Sequence, residues 1–196
     1  MLYAQNADTP RAQPEAVAPS SPESAPPAAP RVPIPAEAEL LAASAPAAAR
    51  ELPFELPKGV APENGLQVRT IWAARAISVM FPEITTIGGY RQDPLRWHPN
   101  GLAIDVMIPN HTSEEGIELG NQIAGLALAN AERWGILHVI WRQGFYPGIG
   151  APSWTADYGN ETANHFDHVH IATAGGGYAT GDETYYISSM NPMPND

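Results

Sequence analysis

The run HPNGLAIDVMI at residues 98–108 decides how the chain folds. Its second half, 102–108, is apolar except for Asp105 and stops at Pro109, which is the pattern of a short buried strand. A carboxylate inside such a strand is costly to bury unless a cation or a metal meets it. Arg91 is one competitor for that role. Gly101 allows a tight turn between His98 and Asp105. A second run, HFDHVH at 165–170, opens another strand, expected over 168–172 as the last of the sheet. Side chains alternate along a strand, so His168 and His170 share one face while Asp167 and Val169 point to the other.

Working outward, the segment 66–81 carries Val68, Ile71, Ala74 or Arg75, and Val79 at helical spacing, with Pro82 to stop it. Residues 84–90 are β-branched and read as a strand, in which Gly88 and Gly89 suggest a bulge or a close backbone approach. Thr112 or Ser113 followed by two Glu starts a second helix. It places Leu119, Ile123, Leu126 or Ala127, Ala131 and Trp134 on one face, and Gly135 caps it. A strand over 136–141 follows, then a long Gly/Pro/Trp loop over 144–164. The expected class is α+β: a central antiparallel sheet with helices on one side and a polar site on the open face.

The first part of the chain is different. Sixteen of the first fifty residues are Ala and ten are Pro. Proline at that density removes backbone donors, and too few large apolar residues remain to offset ordering entropy. Residues 1–62 are therefore expected to be a disordered tether, 63–175 the domain, and 176–196 a C-terminal tail. All five Trp and all six His lie beyond the tether. The start, MLYAQNA, shows no signal peptide. An Ala/Pro tether nevertheless suits an extracellular or cell-envelope protein.

Net charge is −11, which argues against nucleic acid as a partner. No apolar run approaches the ~20 residues of a membrane span. Cysteine is absent, so thiolate metal sites and Cys nucleophiles are excluded. What remains is imidazole and carboxylate, the donors zinc takes when no thiolate is present. Three such ligands leave a position for water, whose pKa zinc lowers to about 7.

Three fragments carry a resemblance: Gly89-Tyr90-Arg91, His98-x-x-Gly101-x-Ala103-x-Asp105, and Asp167-x-x-His170. Together they resemble the LAS-type zinc peptidases, a group that includes bacterial D-Ala-D-Ala peptidases, murein endopeptidases and the zinc domain of hedgehog proteins. The likeness covers about residues 64–173 and is nearest to actinobacterial envelope members. It implies a zinc ion held by His98, Asp105 and His170. It also implies Asp167 as general base, with His168 and His165 lining the site, and Arg91 acting on the scissile carbonyl or the developing oxyanion. Strand alternation by itself favours His168 as the base. Arg142, within the run VIWRQ at 139–143 that resembles the same group, is expected to bind substrate. Arg96 stands where the group usually has Ser, and Asp167 where it more often has Glu. The expected activity is hydrolysis of an amide bond in peptidoglycan stem peptides or cross-links by a monomeric metallopeptidase, of D,D- or L,D-endopeptidase or carboxypeptidase type. The alternative is a zinc-stabilised envelope binding module without turnover.

Overall fold

The computed structural model describes residues 54–193, so most of the expected tether lies outside the described residues. The fold is α+β. A six-stranded, wholly antiparallel sheet runs in the order β1-β2-β6-β3-β4-β5. Its strands are β1 (Ile87–Gly88), β2 (Ala103–Met107), β3 (Ile136–Trp141), β4 (Gly144–Pro147), β5 (Ser153–Trp154) and β6 (His168–Thr173). The helices are α1 (Val68–Met80), α2 (Glu114–Ala129) and the single-turn α3 (Ala131–Trp134). A two-stranded ribbon, β7 (Thr184–Tyr185) with β8 (Met190–Asn191), completes the described chain.

The central pair sets the layering. β2 and β6 pair with Ile104 opposite Ile171 and Val106 opposite Val169, all four fully buried in the hydrophobic core. Full burial of side chains of this size stabilises by roughly 1.5–3 kcal/mol each. The same register puts Asp105 opposite His170 and Met107 opposite His168 on the other face. The helices cover the apolar face. Ile123 and Ala127 of α2 join Val139 and Trp141 of β3 there, and Gly120 lets the Trp141 ring sit against the helix, where a Cβ would overlap it.

α1 is buried on most of its circumference, from Val68 through Ala74 and again at Ala76 and Ile77. Its single-stripe reading was therefore too narrow, because a second layer covers its outer side. Trp72 Nε1 donates to the Tyr186 carbonyl at 2.6 Å, and Arg75 makes a two-pronged pair with Glu63 (2.7 and 3.0 Å) while lying over the Tyr185 ring.

Several boundaries differ from expectation. Residues 54–62, assigned to the tether, pack on the domain: Leu56 is fully buried, and its N–H donates to the Tyr185 carbonyl at 2.7 Å. Two prolines hid this, since an extended segment that docks through a single apolar side chain has no periodicity. Residues 176–193, assigned to the tail, contribute Tyr185 and Met190 to the core. β6 is thus followed by two further strands. The strand expected over 84–90 shrinks to Ile87–Gly88, and the loop over 144–164 contains β4 and β5. The β3–β4 turn uses Arg142 and Gln143 at φ 49 and 63, a conformation usually signalled by Asn or Gly and so not visible in these residues. The second helix starts at the Ser113 cap as expected, with Ser113 Oγ accepting from the Gly116 N–H, but it breaks at Asn130 before α3 ends at Gly135 (φ 62).

Removing Leu56 from the core should therefore cost stability. Leu56→Ala is expected to lower the unfolding free energy by about 2–4 kcal/mol. A chain beginning at residue 63 should melt below one beginning at residue 54. Equal urea midpoints for the two chains would show that the segment contributes nothing.

Candidate metal centre

Three pieces of local structure deliver the site. The turn 97–101 carries His98. It is closed by Gly101 N–H donating to the His98 carbonyl (3.0 Å) and Leu102 N–H to the Trp97 carbonyl (2.8 Å). Gly101 sits at φ 67 with its α-carbon against the Gly65 carbonyl, so no side chain fits there. β2 carries Asp105, and β6 carries His168 and His170. All four of these side chains are buried.

Hydrogen bonds fix the imidazoles. His98 Nδ1 lies 2.9 Å from the Gly89 carbonyl. A carbonyl only accepts, so Nδ1 carries the proton and Nε2 bears the lone pair. The Arg91 Nη1, 3.1 Å from the same Nδ1, is also a donor and lies against it without bonding. Its bond goes to Asp105 Oδ2 at 2.6 Å, while Nη2 faces Asp93 at 3.6 Å. His98 Nε2 is fully buried, has no hydrogen-bond partner among the described residues, and stands 3.4 Å from Asp105 Oδ2. His170 Nδ1 lies 2.9 Å from Asp105 Oδ1.

This donor set could hold a metal ion. His98, Asp105 and His170 offer ligand atoms within 4.8 Å of one another, all buried. Donors around a tetrahedral zinc sit about 2.1 Å from it and hence about 3.4 Å from each other, which is the separation of His98 Nε2 from Asp105 Oδ2, 3.4 Å. An orphaned, lone-pair-bearing nitrogen in a dry pocket is what a cation would satisfy. Burial alone would raise the Asp105 pKa. The hydrogen bond from His170 outweighs it, helped by the nearby imidazoles of His98 and His168, and the carboxyl is held well below the usual range. Burial pushes His170 down, with His98 and His168 adding to it against the pull of Asp105. Both ligand types are thus held in the metal-binding protonation state.

The remaining predicted residues divide. His168 reaches the centre, with Nε2 3.6 Å from Asp105 Oδ1. Asp167 stands behind it: Oδ1 is 2.6 Å from His168 Nδ1, and Oδ2 accepts from Thr162 Oγ1 at 2.6 Å. Burial raises the Asp167 pKa, but these bonds from Thr162 and His168 bring it down overall. β6 does begin at His168, so Asp167 belongs to the incoming loop. His165, at φ 55, lines the cleft with its ring 4.8 Å from that of His168. Arg91 lines the cleft half exposed. Arg142, expected at the substrate, is not among the residues lining the cleft. Its guanidinium lies over the Phe166 ring at 4.9 Å, because the positive-φ turn carries it past the sheet edge.

One residue was missed. His138 of β3 is buried and stacks on His170, with centroids 5.5 Å apart. A His inside the otherwise apolar run ILHVIW was the available signal. Five of the six histidines thus gather here, and His111 stands apart, paired with Glu161. The cleft over the centre has a volume of about 270 Å³. Larger hollows, about 370 Å³ beside Arg75 and Tyr185 and about 700 Å³ beside the start of α2, lack such a ligand set.

A family model described as the VldE C-terminal domain matches residues 62–166, a span that contains His98 and Asp105 and ends just before β6. No curated protein and no solved structure matches the chain.

Two outcomes follow from the geometry. His98→Ala, Asp105→Ala and His170→Ala should each abolish tight metal binding in elemental analysis, whereas His111→Ala should retain it. Full occupancy in the His170→Ala protein would remove the assignment. The second concerns acid. Burial, with His170 and Arg96 adding, pushes His138 down to about 4; burial, with His168 and His170 adding, does the same for His165. An unfolded chain takes up these protons near 6.5, so it binds more protons than the folded one between that pH and about 4. Stability of the metal-stripped protein should fall as pH drops through this window. The slope is at most about 1.4 kcal/mol per pH unit for each residue, and less for the partly exposed His165. Urea titrations at stepped pH measure it, and His138→Phe should flatten the slope.

Proposed function

The chain belongs to the VldE C-terminal domain family, and we propose that it acts as a zinc-dependent peptidase on peptidoglycan stem peptides or their cross-links in the cell envelope. One observation carries this reading: beside the buried ligand trio stands an imidazole, His168, whose far nitrogen is already engaged by a carboxylate. A purely structural metal site is closed by its ligands and has no use for an oriented acid–base group at its mouth. The resemblance of the three motifs to LAS-type peptidases points the same way.

The residues divide the work as follows. His98, Asp105 and His170 would hold the zinc, which supplies Lewis acidity for a carbonyl and makes water a stronger acid. Asp167 accepts the Nδ1–H of His168, which fixes the tautomer and leaves Nε2 as the proton acceptor facing the centre. Thr162 pins the outer oxygen of Asp167, so that the carboxylate orients the imidazole instead of entering the site itself. His168 takes the proton of the attacking water and returns it to the leaving amine. Arg91 holds the ligand carboxylate and, half exposed in the cleft, offers donors to the substrate carbonyl. Asp167, with a shorter side chain than the Glu usual at this position, thus serves as the orienting group, and His168 as the base.

The test is incubation of the zinc-loaded protein with purified muropeptides, with products identified by mass spectrometry. His168→Ala should cost about 10²–10⁴ in rate with zinc retained. Asp167→Asn should cost less, about 10–100-fold, as loss of an orienting partner. If Asp167→Asn is the inactive protein and His168→Ala remains active, the roles are reversed. If the parent cleaves no muropeptide, the zinc-stabilised binding module replaces the enzyme.

A further inference from the structure

His138 has a polar edge that the protein itself does not use. Its ring is 6% exposed and lines the cleft. It is clamped between Phe145 (4.9 Å, 28° between planes) and His170 (5.5 Å, 21°), with the Trp97 ring meeting it edge-on at 4.7 Å. No described residue hydrogen-bonds to either ring nitrogen. His98, His168 and His170 differ, each having Nδ1 beside an oxygen acceptor. An imidazole edge that opens on a cleft with no protein partner is available to a partner from outside.

The chemistry of that partner follows from the lining. In its neutral form an imidazole offers one donor and one acceptor. The one cation among the cleft residues, Arg91, is already paired with Asp105 and lies close to Asp93. Ile140 and Leu95 add apolar surface. A peptide amide finds both hydrogen-bonding roles and apolar flanks there.

We propose that His138 is a substrate-binding residue whose ring nitrogen hydrogen-bonds a backbone amide of the peptide lying across the cleft. This role rests on the peptidase reading above. The three rings fix the edge in place, so the bond forms with little ordering of the side chain.

The experiment separates packing from hydrogen bonding. His138→Phe keeps an aromatic ring between Phe145 and His170 and deletes both nitrogens. His138→Asn and His138→Gln lose the ring but place an amide near the former Nδ1 or Nε2. Each is made in the full-length, zinc-loaded chain in a His168→Ala background, so that binding is read without turnover. Zinc content is measured by elemental analysis. Binding of purified cross-linked muropeptides is followed by calorimetry, and the His138 ring ¹⁵N shifts of the parent by NMR. The expected result is about tenfold weaker binding by the Phe variant at unchanged zinc content. At least one amide variant should bind more tightly than the Phe variant, and the parent's ring ¹⁵N signals should shift on binding. Equal binding by parent and Phe variant, or loss of zinc from the Phe variant, overturns the role of His138 and leaves the peptidase reading intact. Absence of binding in every protein, parent included, overturns both.

Discussion

The pairing of β2 with β6 is the constraint on which the rest depends. Strand side chains repeat every two residues, so one register does two things at once: it joins Ile104 to Ile171 and Val106 to Val169 in the core, and it brings Asp105 to His170 on the opposite face. A one-residue slip of β2 would drive Asp105 into the helix-covered layer and expose Ile104 and Val106, and a slip of β6 would do the same with its two imidazoles and Val169 and Ile171. The cost of burying those polar groups against apolar side chains is therefore part of what selects the register. The core and the candidate metal centre are specified by the same hydrogen-bond ladder.

The polar face is held by partners just outside the ligands. Gly89 orients His98, Arg91 neutralises Asp105, and Thr162 acts through Asp167 on His168. The loop that brings Thr162 into place is itself tied down. Asn164 accepts from the Tyr158 N–H and donates to Asp157, and Asn160 Oδ1 accepts from the Ala163 N–H. Buried polar groups of this kind are tolerable only when nearly all are satisfied. Two that are not, His98 Nε2 and His165 Nδ1, belong to the histidine cluster, where an external partner is expected.

How much of this was legible depends on whether the signal was local. The α+β class, β2, β3, β6 and the Ser113 cap follow from alternation, periodicity and cap chemistry within a few residues. The trio His98, Asp105 and His170 was legible only through the resemblance of three short motifs, while alternation by itself paired His168 with His170 on one face. What was not legible came from distant partners. Leu56 reads as part of a Pro-rich tether until Tyr185, far along the chain, meets it. The strand expected over 84–90 loses most of its length because its only neighbour is β2. Arg142 looked available to substrate, but Phe166 and the backbone twist of its turn claim it. His138 is missed because nothing local says that Phe145, Trp97 and His170 will enclose it.

The clasp between Leu56 and Tyr185 has a mechanical meaning. The two ends of the described domain meet each other over α1, on the side of the sheet away from the cleft, through one backbone hydrogen bond, the Glu55–Tyr186 bridge and the Arg75 contacts to Leu56 and Glu63. A tension arriving along the chain from its N-terminal side is borne first by this clasp. The β2–β6 ladder lies behind it in the load path, so the end segment can peel and recover while the histidine cluster keeps its geometry.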